Sequence, residues 1–271
     1  MIESVAWLVA VAMAVVVAGF VQSAIGFGFA AVALALMSFY VEMHDANLLV
    51  SLCALLPLAI SVYHYRSHVE WPDLVSALAG AGLAMGPGVF LFRRAPADLL
   101  VRITGLVILA IAVDGLVRRL PEPSDRPSGR RRSRFAVGTV SGILSGAVGI
   151  GGPPMAAYVV RQPWPAGRMK GFLVGYLFVV AMMKAAALTA NGLITWEIVS
   201  VAAMLAPLAC VSSWLGVIVS NRWPTARFRQ IALCLLAVIA IGMVVRGSPL
   251  KRRPPHHTVH PVRSSTVQTT F

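Results

Sequence analysis

The sequence predicts an all-α integral membrane protein built from two related halves, and three observations predict it. Of 271 residues, 58% are hydrophobic and only 12% are charged, about half the charge of an ordinary soluble domain. Several uninterrupted apolar runs reach the ~20 residues that cross a bilayer core as helix, whereas the alternating segments of about ten residues that mark a membrane β-barrel do not occur. A glycine-rich motif is present twice, 123 positions apart: Gly19-Phe-Val-Gln-Ser-Ala-Ile-Gly-Phe-Gly-Phe29 and Gly142-Ile-Leu-Ser-Gly-Ala-Val-Gly-Ile-Gly-Gly-Pro-Pro154. Gly19 aligns with Gly142, Ala24 with Ala147, Gly26 with Gly149, Gly28 with Gly151 and Ala33 with Ala156.

The first apolar region, Val5 to Val41, holds 37 residues. As one helix it would measure about 55 Å at roughly 1.5 Å per residue, against a hydrocarbon core of about 30 Å. It therefore reads as two pieces, Val5–Gln22 and Phe29–Tyr40, hinged at Gly26 and Gly28. Ala46–Tyr65, Asp73–Phe92 and Leu99–Val117 follow, each near one crossing. Residues 1–117 form the first half, and 118–134, with seven arginines and three prolines, form a basic joint. Residues 135–246 repeat the plan: Phe135–Val160 with the glycine-proline cluster, then Gly171–Ala190, Ile198–Ser220 and Phe228–Val245. The basic tail, 247–271, reads as disordered.

Hairpins that enter and leave on one side give three true crossings per half and hence inverted repeats. Hairpins that cross give four, and parallel halves. Charge counting leaves both open, although the inverted arrangement is the expected one. The N-terminus has no basic leader, and the first Lys or Arg is Arg66, so the first span is expected to be retained.

The net charge of +13 sits in loops and tail, where the positive-inside rule puts it. It implies a lipid bilayer as partner and no nucleic acid. Cys53, Cys210 and Cys234 lie in apolar spans without ligand spacing, which reads as packing. No metal, cofactor or catalytic constellation is expected, and a homo-oligomer is compatible with the chain. Tyr63, Tyr65, Trp71, Trp164, Trp196 and Trp223 fall at span ends, as aromatic belts do.

Charge inside a span marks function by default. Asp98/Arg102 and Asp114/Arg118 are spaced to pair along a helix. Lys184 has no acid three or four positions away, which leaves snorkelling or a positive charge offered to an anion. The broken helices supply the rest of such a site. A helix restarting after a break presents unpartnered N–H groups and a positive dipole end, able to cradle an anion. Glycine lets the backbone approach, and Pro153 and Pro154 suit a first turn. The expected substrate-binding residues are Gln22, Ser23, Gly26, Gly28, Phe29, Ser145, Gly149, Gly151, Gly152, Pro153 and Lys184. The bland alternative for the glycines is close helix packing.

The two motifs, taken together, resemble the paired signature segments of the TauE/SafE family of sulfite exporters and related anion transporters, and the resemblance extends to about Val245. Lys184 resembles a lysine found in one branch of that family. The resemblance implies a multi-pass permease of a bacterial or archaeal plasma membrane for small anions such as sulfite or organosulfonates. The expected function is secondary transport of such an anion by alternating access. Its rivals are a passive anion channel, which would not saturate or exchange, and a non-transporting scaffold subunit, in which Gly28 and Gly151 would matter for assembly rather than flux.

Overall fold

The computed structural model describes residues 5–37, 41, 43–94, 131–148, 151–190 and 192–246, together with part of 102–117. The basic joint up to residue 130, the tail, and the Asp98 and Asp114 pairings lie outside the described residues. The first half comprises α1 (Val5–Ile25), α2 (Phe29–Met37), α3 (Met43–Cys53), α4 (Leu55–Tyr65) and α5 (Trp71–Arg94), with further helical residues within 102–117. The second comprises α6 (Arg131–Val148), α7 (Gly152–Val160), α8 (Ala166–Ala190), α9 (Trp196–Asn221) and α10 (Thr225–Arg246). Among the described residues every regular element is helical, and five stretches are long and apolar enough to cross a membrane.

Local chemistry accounts for the interruptions. The α3–α4 run is one helix with an irregularity at Ala54, because Pro57 has no N–H to give the Cys53 carbonyl. On either side the ladder continues, Ala54 N–H to Val50 O at 3.0 Å and Leu58 N–H to Ala54 O at 3.1 Å. Helix α8 ends in a Schellman motif: Gly192 takes φ +66°, Leu193 N–H reaches Leu188 O at 3.1 Å and Gly192 N–H reaches Thr189 O at 3.0 Å. Thr195 then caps α9, accepting from Ile198 N–H at 3.4 Å.

Shifting the first half by 123 residues lays α1 on α6, α2 on α7, the α3–α4 run on α8 and α5 on α9. Phe29–Met37 and Gly152–Val160 then coincide end to end. Packing follows the same exchange, since α1 lies along α9 and α5 along α6. Both pairings use small residues to bring backbones together, as membrane helices do. A Cβ on Gly142 would lie 2.6 Å from Ala81 Cα, and one on Gly138 2.8 Å from the Ala77 carbonyl carbon. A Cβ on Gly216 would meet Phe20 O at 2.5 Å, and one on Gly19 would meet Ser212 Oγ at 2.5 Å. Positions rise together along each pair, so both run parallel. The Gly19–Gly142 match in the repeated motif is thus a packing match, while the breaks themselves begin further on.

Many large exposed side chains are apolar, Leu83 being 71% exposed and Val238 66%. Of the aromatic residues expected in belts, Trp71 and Trp196 are exposed, but Tyr65 and Trp164 are buried core residues. Of the cysteines, only Cys53 is buried, and Cys234 is exposed.

Candidate functional site: two helix breaks around one cavity

At the first break, Gly26 and Gly28 take φ of +91° and +108°, a left-handed backbone that glycine alone adopts without strain. They turn the chain between Ile25, the end of α1, and Phe29, the start of α2. Gln22, one turn before the break, reaches forward: its Oε1 accepts from Phe29 N–H at 3.1 Å. That fixes the amide, so its Nε2 is the group left to donate. This nitrogen is buried and has no hydrogen-bond partner, in a residue only 2% exposed. The first bond of the ladder is Val32 N–H to Gly28 O at 2.9 Å. Ala30 and Ala31 therefore carry the remaining N–H groups without a helical acceptor.

The second break lies between α6 and α7. Gly151 caps α7, and Pro153 occupies its first turn, where a missing N–H costs little. Gly151 O accepts from Ser141 Oγ at 2.5 Å, and a Cβ on Gly151 would stand 2.9 Å from Ser145 Cβ. Here glycine is required by closeness rather than by φ.

Both breaks open on one cavity of about 90 Å³, several times the roughly 10–15 Å³ that one water needs. Counterparts under the 123-residue shift line it together. Gln22 and Ser145, Gly28 and Gly151, Phe29 and Gly152, and Ala30 and Pro153 all line it. So do Ala54 with Leu177 and Leu58 with Ala181. The cavity is thus lined by matched positions of both halves.

Lys184 breaks that symmetry. It also lines the cavity, half-buried, and its Nζ donates to Asn47 Oδ1 at 2.9 Å. Its counterpart is Ser61, which instead donates to Ser23 Oγ at 3.1 Å in the α1–α4 contact.

Of the residues expected from sequence, Gln22, Gly28, Phe29, Ser145, Gly151, Gly152, Pro153 and Lys184 meet at the cavity. Ser23 does not, being committed to Ser61. Gly26 turns the chain but faces α8, where a Cβ would stand 3.6 Å from Leu173 Cβ. Gly149 lies outside the described residues. Sequence reasoning missed Asn47 and Ser51, neighbours one turn apart on α3. The available signal was a lone asparagine inside an apolar span.

It also missed Lys170, which the sequence assigns to a loop. Lys170 is 2% exposed, donating to Ser220 O at 3.1 Å and Tyr65 Oη at 3.3 Å. Its ammonium stands 5.2 Å from the Phe228 ring centre and 5.4 Å from that of Tyr65, within cation–π range. Tyr65 donates to Asn221 Oδ1 at 2.9 Å, tying α4 to α9. Beside it Arg168 pairs with Glu70 at 2.6 Å and Asp73 at 3.3 Å, and Arg134 pairs with Asp73 at 2.5 Å. Polar ties therefore hold the Lys170 end of α8, while Lys184 and the cavity lie toward the other end.

These two contacts also fix direction. Asn47, early in α3, sits beside Lys184, late in α8, and Tyr65, ending α4, sits beside Lys170, early in α8. The α3–α4 run and α8 are antiparallel.

Comparison with known proteins decides the family: the family model described as sulfite exporter TauE/SafE matches residues 11–243, which include both breaks, the cavity and both lysines. The chain belongs to the TauE/SafE family. A TauE/SafE relative from Cupriavidus necator, named as a probable sulfite/organosulfonate exporter TauE, is 24% identical over 199 residues, which cover 72% of this chain and 77% of the relative. No solved structure matches the chain. Membership in a family of exporters, with five helices apolar enough to span, makes this a multi-pass membrane transport protein of the TauE/SafE type.

Proposed function

We propose that the protein is a secondary transporter of small, sulfur-containing anions such as sulfite or organosulfonates, working by alternating access around the two breaks. One observation carries the reading: both helix restarts and Lys184 line the same cavity. The donors there are the amides of Ala30 and Ala31, the Gln22 Nε2 group and the Lys184 ammonium. All are complementary to negative charge. Neutral acceptors are scarce among the described lining residues, and carboxylates do not occur. The proposed binding set is Gln22, Gly28, Phe29, Ser145, Gly151, Gly152, Pro153 and Lys184.

The halves are proposed to be inverted repeats, with α1–α2 and α6–α7 as hairpins entering from opposite faces. Support comes from α8 and its counterpart, the α3–α4 run, which are antiparallel; parallel repeats would make them run the same way. In such an architecture the site lies at the repeat interface, and rocking of one bundle against the other exposes it alternately. The polar ties around Lys170 and Tyr65 then close one end, and the site communicates with the other. A plasma membrane of a bacterium or archaeon is the proposed location, in keeping with the bacterial relative.

Two measurements test this. Purified protein is heated with sulfite, thiosulfate, sulfonates and carboxylates; a cognate anion at a hundred times its Kd stabilises by about 2.7 kcal/mol, a shift of about 5–10 °C. Reconstituted in vesicles, the protein should then give saturable uptake that exchanges with the same anion. Flux that neither saturates nor exchanges would instead make it a channel, and no shift with any anion would remove the anion site.

A further inference from the structure

We propose that the cavity is charge-matched to a singly charged anion, and that Asn47 is the positioning residue that keeps it so. The inference rests on the transport reading above and adds the charge class of the solute. Among the described residues that line the cavity, Lys184 alone is charged; Gln22, Ser51 and Ser145 are neutral and polar, and the remainder are apolar or glycine.

The ammonium of Lys184 is held by an amide oxygen, Asn47 Oδ1 at 2.9 Å. An amide orients a cation without cancelling it. Ser51, one turn on and itself lining the cavity, donates its Oγ to the main-chain carbonyl of Asn47 at 2.5 Å, which leaves the Asn47 side chain to the lysine. Lys184 lines the cavity, and its partner does not cancel its charge.

Within membrane depth, net charge in a site is costly and has to be compensated locally. Counted in formal charges, the empty site carries one positive charge, that of Lys184, and the two helix restarts add only partial positive charge. A monoanion cancels the formal charge; a dianion of the same shape leaves a second negative charge that the restarts alone must hold. The same arithmetic assigns Asn47 its part. Asparagine and aspartate have nearly the same shape, but a carboxylate at position 47 would pair with Lys184 and make the empty site neutral. An entering anion would then be the uncompensated ion.

The test compares 2-hydroxyethanesulfonate, with one negative charge, and sulfoacetate, with two, a pair of similar size. Their Kd values are measured on the purified full-length protein, wild type and variants, by titration calorimetry with melting curves alongside. Wild type is expected to bind the monoanion at least tenfold more tightly. Lys184→Gln should weaken it by about tenfold to a hundredfold, the loss of one charged hydrogen bond. Asn47→Asp should weaken it by a similar factor while melting no lower than wild type, and Asn47→Ser, a neutral acceptor, should keep the preference for one charge. A merely structural asparagine would not change charge preference.

If Lys184→Gln weakens binding but the dianion is preferred, or Asn47→Asp binds the monoanion like wild type, the inference is overturned and the transport reading stands. If neither probe binds although another anion of the panel does, or binding ignores Lys184→Gln, the inference is likewise overturned; if no anion of the panel binds, the transport reading itself goes. Should Asn47→Asp fail to fold, the wild-type preference and its retention in Asn47→Ser still decide the matter.

Discussion

Gln22 does two jobs with two ends of one amide, and Gln22→Glu separates them. The oxygen caps Phe29 N–H at 3.1 Å; the nitrogen is buried, unpartnered and beside the cavity. Replacing the amide by a carboxylate keeps an acceptor for Phe29 but turns the donor into a negative oxygen. A like charge about 5 Å from a bound anion repels it by about 3 kcal/mol at an effective dielectric of ~20, a loss of about a hundredfold in affinity. Gln22→Leu removes both ends, and leaving the buried Phe29 N–H unsatisfied costs about 1–3 kcal/mol of stability. The assay is a pair of melting curves for each variant, with and without the stabilising anion. Gln22→Glu should melt close to wild type without anion and show no anion shift, whereas Gln22→Leu should melt lower in both. The reasoning fails if Gln22→Glu keeps a wild-type shift, or if it is destabilised as much as Gln22→Leu.

The other expectations concern packing and backbone. Gly142→Ala drives a methyl into the Ala81 backbone and should cost about 1–3 kcal/mol, seen as a lower melting temperature in detergent; an unchanged melt would mean that α5 and α6 do not touch there. Gly28→Ala forces a Cβ onto φ +108° and should cost about 1–2 kcal/mol. Gly152→Ala, where a Cβ would stand 3.8 Å from Leu177, should fold normally, and equal melts for the two would refute the distinction. Lys170→Met, which replaces a buried ammonium by an apolar chain of similar length, should melt no lower than wild type, since it relieves the cost of a buried charge and leaves Ser220 O with the N–H groups of Arg222 and Trp223; a loss of several kcal/mol would mean that the ammonium itself ties α4, α8 and α9 together.

What was legible in the sequence follows from cost. Gly26, Gly28, Gly151 and Pro153 stand out because glycine and proline are poor helix residues, and Lys184 because charge is rare within membrane depth. Such residues can be read one position at a time. The facing of a side chain is harder: Ser23 follows Gln22 by one residue, about 100° around the helix, and points at Ser61 rather than the cavity. Contacts between distant segments are harder still. Lys170 meets Tyr65 across 105 positions and Lys184 meets Asn47 across 137, and neither partner is acidic, so no charge pattern announced them. The glycine motif also concealed two roles, with Gly142 packing against α5 and Gly151 forming the break.

The two breaks occupy matched positions but are chemically unequal, and the inequality points to where the anion's amide donors come from. Gln22 is long enough to cap Phe29, seven residues on; its counterpart Ser145 is short. The second break has less to cap, because Pro153 and Pro154 have no N–H to offer. The amides past the cap that open to a ligand are therefore those of Ala30 and Ala31 in the first half, whereas the second half offers only the N–H groups of Gly151 and Gly152 before its prolines. Ala30 is the counterpart of Pro153, so Ala30→Pro copies into the first half what the second half already tolerates in a helical first turn. It should melt within about 1 kcal/mol of wild type, since the deleted N–H has no helical acceptor. Anion affinity should fall by about tenfold to a hundredfold, the worth of one hydrogen bond to a charged group. Undiminished binding by Ala30→Pro would mean that the amides of the first restart do not hold the anion, and that Lys184 acts with side chains alone.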